Sequence, residues 1–204
     1  MEDYPAKLEI DYPEKLNRWK TFFRVFLAFP VLFLFVLLAG GFDYYDYGDK
    51  VKYLSTAGLL YAATLLMLLF RHKYPRWWFD WNFNLTKFGI RVFAYCCLLR
   101  DEYPSTDEDQ AVHAELKYPD AKQELSRWLP LVKWFLALPH YFLLAILFLG
   151  IFFAVFIAWW AILFTGRYPR PLFNYITGTF RWAFRVDAYA FILTTDKYPP
   201  FGFK

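Results

Sequence analysis

Cysteine and histidine are scarce in this sequence, and their scarcity excludes several kinds of site. The 204 residues contain two cysteines, Cys96 and Cys97, so no disulfide framework is possible. We interpret them as packing thiols, with S-palmitoylation as the alternative. His72, His113 and His140 are far apart in the sequence and are not paired with one another at helical spacing. A metal or haem site within one chain is therefore not expected, and we predict no cofactor.

Motifs of catalysis are also missing. The sequence has no glycine-rich phosphate loop, no nucleophile-elbow pattern and no HExxH. Ser126, Thr165 and Thr177 have no base partner nearby in the sequence. No carboxylate is expected to lie buried within an apolar span, which argues against a proton-coupled transporter. The first twenty residues are polar and predict no cleavable signal peptide. We therefore predict no catalytic residues and no enzymatic activity.

Apolar and aromatic residues, in contrast, are in excess. Hydrophobic residues make up 58% of the chain and aromatic residues 25%, whereas soluble domains contain about 45–50% apolar residues. Three windows, 25–42, 53–70 and 134–166, contain no Asp, Glu, Lys or Arg. A bilayer core of about 30 Å needs about 20 helical residues. The first two windows are each predicted to form one transmembrane span.

The third window is too long for a single span of ordinary tilt. We predict that it forms two short spans, 131–149 and 151–165, which turn near Gly150. Four transmembrane helices result. The alternative is a long helix pair of a soluble protein that is buried in a partner.

The order of sequence landmarks in the first half recurs in the second. Tyr74-Pro75 and Tyr168-Pro169 each follow an apolar window and precede an aromatic, basic segment. We therefore predict an internal repeat, with a first copy over 1–104, a cytoplasmic linker over 105–124 and a second copy over 117–204.

The segments 76–99 and 171–193 are predicted to be amphipathic helices in the membrane interface. Asp80, Asn84, Lys87 and Arg91 stand at i, i+4, i+7 and i+11, which places them on one helix face. Asn174, Gly178, Arg181 and Arg185 repeat that spacing. Such a basic stripe on an aromatic helix suits the headgroup region of a bilayer. The candidate contacts for lipid headgroups or a partner are Lys87, Arg91, Arg181, Arg185, Arg76 and Arg170.

His140 is a candidate intramembrane polar site, because ionisable residues within apolar spans are often functional. The alternative is a histidine that is hydrogen-bonded at the membrane interface.

The basic residues also predict orientation and partners. Only Lys50 and Lys52 fall in the loop between the first two predicted spans, so both termini are expected in the cytoplasm. The net charge of +4 favours anionic membrane lipids as partners. Other membrane protein subunits, or further copies of this chain, are the expected protein partners. Nucleic acid is not expected, since bulky aromatic residues are interleaved with the charges.

The second half resembles a known family. The run Thr165-Gly166-Arg167-Tyr168-Pro169-Arg170, followed by Arg181-Trp182, Ala188-Tyr189 and Tyr198-Pro199-Pro200-Phe201, is similar to bacterial membrane proteins grouped as domain of unknown function 4389 (DUF4389). Two tandem copies of the unit would cover nearly the whole chain. The first half departs from the pattern, because Arg71-His72-Lys73 replaces the Thr-Gly-Arg entry. The resemblance implies a location in the bacterial inner membrane and no catalytic residues.

The sequence therefore predicts an all-α integral membrane protein with four transmembrane helices in two tandem hairpins, each followed by an amphipathic interfacial helix. The expected function is that of a non-catalytic scaffold or accessory subunit of a larger membrane assembly. The alternative is a protein that binds or transports a lipid or small solute, with Arg91 and Arg185 as headgroup ligands. An enzyme ranks third.

Overall fold

The computed structural model describes residues 4–39, 41–44 and 52–203, with side chains described over 4–38 and 58–203. Gly40 and the predicted loop residues 45–51, including Lys50, lie outside the described residues. Seven α-helices and four short strands follow one another in the described part: β1 (Ala6–Ile10), α1 (Arg18–Phe22), α2 (Arg24–Ala39), β2 (Gly41–Tyr44), β3 (Lys52–Ser55), α3 (Thr56–Leu66), α4 (Arg76–Cys96), β4 (Val112–Leu116), α5 (Pro130–Leu136), α6 (Leu138–Thr165) and α7 (Arg170–Ala190). A π-helical turn, Met67–Arg71, continues α3.

The predicted four-span, multi-pass arrangement is wrong. Among the described residues, one helix, α6, is long and apolar enough to cross a membrane. Helix α2 has 16 residues and so a length of about 24 Å, which is less than the bilayer core. The strand pair of β2 and β3 takes up the residues that would have lengthened α2 and α3. Hydropathy measures how apolar a segment is, but it does not show where a helix ends. The apolar window 25–42 therefore extends past the end of α2 at Ala39.

Helix α6 is a single helix of 28 residues, so the predicted turn at Gly150 is also wrong. A Cβ atom at Gly150 would lie 2.3 Å from the hydroxyl oxygen of Tyr175 on α7. That hydroxyl donates to the Leu147 carbonyl across 2.9 Å. The glycine is therefore required for close approach of α7, and the helix continues through it.

Helix α7 lies at the centre of the fold and packs against α6, α5 and β1. Thirteen of its 21 residues are buried, and Ile176 and Ala188 are fully so. An amphipathic helix at a membrane surface would bury one face alone. The description of this segment as an interfacial helix is therefore corrected: α7 is a core helix.

The N-terminal segment and the predicted linker form a β-ribbon, which corrects the all-α prediction. Strands β1 and β4 pair antiparallel, with Ala6 opposite Leu116 and Ile10 opposite Val112. Along β1 the side chains alternate between buried and exposed, and Leu8 is 1% exposed. The buried face lies on α7, so the segment 105–124 is in part a strand of the fold rather than a linker.

Candidate ligand-binding cavity

A cavity of about 480 Å³ lies between α4 and α7. Helices α2, α3 and α6 contribute Phe35, Leu60, Tyr61 and Phe148 to its lining. The remaining described lining residues come from α4, α7 and the turn after α7: Asn82, Leu85, Thr86, Gly89, Ile90, Phe93, Phe180, Ala183, Phe184, Asp187, Phe191 and Ile192. Its volume and its apolar, aromatic walls are typical of small-molecule sites.

Three rings at the edge of the cavity are about half exposed. Phe93 is 49% exposed, Phe148 45% and Phe191 48%. Aromatic rings left open to this extent do not seal the cavity, so it opens to the surroundings between α4, α6 and the end of α7.

Asp187 is the charged residue among the described residues that line this cavity. Its neighbours on α7 in the lining are Ala183, Phe184 and Phe191, at i−4, i−3 and i+4, so helical periodicity places the carboxylate among apolar side chains. No hydrogen bond or ion pair joins the carboxylate to a described side chain. Burial raises the pKa of Asp187 from 3.8 to about 7. The partly accessible surface of this residue faces the cavity.

Two other polar side chains of the described lining, those of Asn82 and Tyr61, already donate to partners within the protein. The Asn82 amide donates to the Trp78 carbonyl across 2.8 Å. The Tyr61 hydroxyl donates to the Pro130 carbonyl across 3.0 Å. The Asp187 carboxylate is therefore the strongest available hydrogen-bond acceptor in the described lining.

Sequence reasoning missed Asp187, because it looked for carboxylates only within the predicted spans and this residue lies on α7. The residue stands between Phe184 and Phe191 in an aromatic segment. That isolated acidic residue was the available signal. That this residue lines a cavity could not be predicted locally, because the opposite wall is formed by α3 and α4, more than ninety residues away in the sequence.

The predicted basic contacts on α7 point to other parts of the protein. Arg185 is 4% exposed, and its guanidinium donates to the Gly202 carbonyl across 2.7 Å. Arg181 donates to the carbonyls of Leu8, on β1, and of Phe203, each across 2.9 Å. The two arginines thus fasten the C-terminal segment and β1 to α7.

The remaining basic candidates lie in separate parts of the protein and differ in exposure. Arg91 is 3% exposed and donates to the Ser105 carbonyl across 2.8 Å. Lys87 is half-buried on α4. Arg76 lies over the Tyr118 ring and Arg170 over the Tyr12 ring, at 4.8 Å and 4.7 Å from the ring centroids, and both arginines are exposed. None of the six predicted basic residues lines the cavity.

His140 is fully buried in an aromatic cluster rather than in the cavity. Its Nδ1 accepts a hydrogen bond from the Trp182 indole across 3.0 Å. The ring stacks on Phe201 with centroids 4.1 Å apart. Since Nδ1 accepts, the neutral imidazole carries its proton on Nε2. The contacts of His140 join α6, α7 and the C-terminal segment.

Substitution of Arg185 by glutamine should release the C-terminal segment from α7. The shorter side chain cannot reach the Gly202 carbonyl, while loss of a buried charge offsets part of the cost. We expect a loss of about 1 kcal/mol in the free energy of unfolding and faster removal of residues 201–204 by carboxypeptidase, measured by intact-mass spectrometry. Arg170→Gln, at an exposed arginine, serves as the control. Equal digestion rates for both variants would contradict the fastening role.

A second cavity, of about 710 Å³, lies beside the N-terminal segment and has several charged residues in its lining. Tyr4, Glu115, Lys117, Glu124 and Asp196 contribute to its lining. Lys117 and Glu124 form an ion pair across it at 2.6 Å. Acidic residues of this cavity thus form ion pairs with lysines, whereas the Asp187 carboxylate has no such partner among the described residues.

Comparison with known proteins gives one match. Residues 127–203 match the family model "Domain of unknown function (DUF4389)", and this segment contains α5, α6, α7 and Asp187. The resemblance is thus supported for the second half of the chain. One copy is found rather than two, so the predicted internal repeat is not supported. No curated protein and no solved structure matches this chain.

Proposed function

We propose that this protein is membrane-associated and binds a small apolar or amphipathic ligand in the cavity between α4 and α7, without catalysing a reaction. The observation that carries the proposal is the cavity itself: about 480 Å³, with aromatic and aliphatic walls and a single carboxylate in its described lining. Of the functions predicted from the sequence, lipid or small-solute binding is the one that this geometry favours. Its ligand site differs from the predicted one at Arg91 and Arg185.

The surface of α6 supports the membrane location. In its most apolar 18-residue window, 22% of the residues are buried within the protein. Phe142, Phe152 and Phe164 are 69–73% exposed. In a soluble protein such a row of exposed rings would be costly, whereas hydrocarbon chains of lipids solvate them. We propose the bacterial inner membrane as the location.

Tryptophans and basic residues near the apolar helices support contact with lipid headgroups. Trp19 is 75% exposed, Trp128 70% and Trp134 51%. Trp19 belongs to α1, Trp128 precedes α5, and Trp134 belongs to α5, which leads into α6. Tryptophan is typical of such positions at a membrane boundary. Anionic lipids are the proposed partners of the neighbouring exposed arginines.

Filling the cavity should abolish ligand binding. Ala183 lines the cavity, and Ala183→Phe places a ring in it. We expect binding of 1-octanol to weaken at least 10-fold, measured by equilibrium dialysis of the detergent-purified protein. Ala145→Phe, on the exposed side of α6, is the matched control and should bind octanol as the wild type does. Unchanged binding by Ala183→Phe would contradict the proposal.

A scaffold or accessory subunit is the second candidate, favoured by the exposed apolar surface of α2. Phe26, Phe29 and Phe33 are 75%, 71% and 59% exposed. Native mass spectrometry of protein taken gently from its membrane distinguishes the two functions. Other subunits at constant stoichiometry would favour the scaffold, whereas a bound small molecule would favour the binding protein.

A further inference from the structure

The described lining of the cavity contains an acidic residue but no basic one. Its described walls are aromatic and aliphatic, with the neutral polar residues Tyr61, Asn82 and Thr86 and one ionisable acid, Asp187. No lysine, arginine or histidine occurs among the described lining residues. A buried carboxylate is normally paired or bound to a metal, because an isolated buried charge is costly. The positive partner of Asp187 is therefore missing from the described part of the protein.

A ligand can provide that partner. An ammonium group donates up to three hydrogen bonds and carries the complementary charge, and its interaction with a carboxylate strengthens in an apolar surrounding. An anionic head without an ammonium group of its own, such as a lone phosphate or carboxylate, would instead repel Asp187, with no described cation in the lining to neutralise it. An apolar body fits the aromatic walls.

We infer that the ligand of this cavity is an amphiphile with a protonated amine, whose ammonium group pairs with the Asp187 carboxylate while its apolar chain lies between α4 and α7. This inference rests on the proposed ligand-binding function and specifies its ligand class. The amine belongs either to a free alkylamine or to a lipid with an ethanolamine headgroup.

Binding of such an amine should depend on pH in a defined direction. Among the described residues, the titratable groups that interact with Asp187 or line the cavity with it are Tyr61 on α3, Tyr74 before α4 and Tyr141 on α6. Tyrosines stay neutral below about pH 9, and burial raises the pKa values of Tyr61 and Tyr74 further. Burial raises the pKa of Asp187 to about 7. Among these groups, Asp187 is therefore the one that titrates near neutral pH. Amine affinity rises from pH 6 to pH 8, as this carboxylate ionises.

The test compares three probes of equal chain length: 1-octylamine, 1-octanol and octanoate. Each is measured by equilibrium dialysis against wild type, Asp187→Asn and Asp80→Asn in detergent at pH 6 and pH 8. We expect octylamine to bind wild type at pH 8 at least 10-fold more tightly than octanol. Asp187→Asn removes this preference. Asp80→Asn, which replaces an exposed carboxylate of α4, keeps it.

The outcomes separate this inference from the proposed function. If octanol binds and octylamine binds no better, the cavity binds ligands but the amine assignment is overturned. If none of the three probes binds the wild type, both the amine assignment and the proposed ligand-binding function are overturned. A preference for octylamine that survives in Asp187→Asn also overturns the assignment, because the carboxylate is then not its cause.

A further arm identifies the source of the amine. Octylamine binding is measured in nanodiscs of phosphatidylethanolamine and of phosphatidylcholine, which are both zwitterionic but of which only the first has a primary ammonium group. Weaker apparent affinity in phosphatidylethanolamine supports a lipid headgroup as the ligand, because that lipid competes for Asp187. Equal affinities support a free amphiphilic amine.

Discussion

Replacement of Asp187 by asparagine should make the folded protein more stable at pH 8, by about 2 kcal/mol. In the wild type, folding moves this carboxylate from water into an apolar cavity, and burial raises its pKa from 3.8 to about 7. Asparagine has nearly the same shape and no charge to desolvate. For a chain of this length the expected rise in melting temperature is about 4–8 °C.

The pH dependence of stability follows from the same shift. Because the folded-state pKa of Asp187 is raised, the folded protein binds more protons than the unfolded chain between about pH 4 and pH 7. The contribution of Asp187 to the free energy of unfolding is therefore fully present below its unfolded-state pKa of 3.8, and it is lost as pH rises through the folded-state pKa of about 7. The advantage of Asp187→Asn over wild type should be small at pH 4 and largest at pH 8.

Thermal unfolding followed by tryptophan fluorescence in detergent measures this effect at both pH values. Asp80→Asn is the matched control, since Asp80 is 48% exposed and should behave like wild type. A melting temperature of Asp187→Asn below that of wild type at pH 8 would show that the carboxylate stabilises the fold. The variant would then be unsuitable as evidence for a ligand partner.

Replacement of Asp196 by alanine should have the opposite and larger effect, a loss of about 3 kcal/mol. Lys133 on α5 is 0% exposed, and its ammonium lies 2.7 Å from Asp196 Oδ1 and 2.8 Å from the Thr195 carbonyl. Asp196 also accepts a hydrogen bond from the Ser126 backbone. Without the carboxylate, the buried ammonium keeps one carbonyl partner. The melting temperature should fall by about 6–12 °C.

The double variant Lys133→Met with Asp196→Ala separates charge from packing. It should regain part of the lost stability, because no buried charge remains unpaired. Glu124→Ala, in the exposed pair of Lys117 and Glu124, should cost less than about 1 kcal/mol. An Asp196→Ala melting temperature equal to that of Glu124→Ala would mean that the buried pair contributes no more than a surface pair.

Alkaline pH should partly rescue Asp196→Ala. Burial lowers the pKa of Lys133, and the Asp196 carboxylate opposes that shift. With the carboxylate removed, the folded protein binds fewer protons than the unfolded chain below pH 10.5. Stability therefore rises as pH increases toward that value.

Arg24 forms a second ion pair built in the same way. Its guanidinium is 3% exposed, bonds to Asp101 and lies 4.1 Å from the centroid of the Tyr95 ring. Asp101 also accepts from the Asn17 backbone, as Asp196 does from Ser126. Each pair thus connects the start of an apolar helix to the segment that follows a 21-residue helix. Compared with these paired charges, the uncompensated carboxylate of Asp187 is the exception, and such exceptions are typical of functional sites.

Part of this structure follows from local sequence. Helices α4 and α7 each begin directly after a Tyr-Pro pair, at Arg76 and Arg170. Proline favours the first turn of a helix and disfavours helical geometry in the residue before it. The apolar run of α6 and the match of residues 127–203 to a family are likewise properties of the sequence alone.

The errors arose where the structure depends on distant residues. Strand β1 pairs with β4 more than a hundred residues later, and neither segment shows this pairing by itself. Gly150 is a typical turn residue in sequence, yet in the structure it makes room for Tyr175. Arg181 and Arg185 have the spacing of a lipid-facing stripe, but β1 and the C-terminal segment cover them.

The apolar helix α6, the proline-marked beginnings of α4 and α7 and the aromatic, basic character of the surface follow from local sequence, because each depends on neighbouring residues. Which side chains are buried together follows instead from the packing of distant elements. The cavity exists because α3 and α4 pack opposite α7, and the pKa of Asp187 is raised because that packing removes it from water. Burial depends on residues from every surrounding element, and no local pattern contains that information.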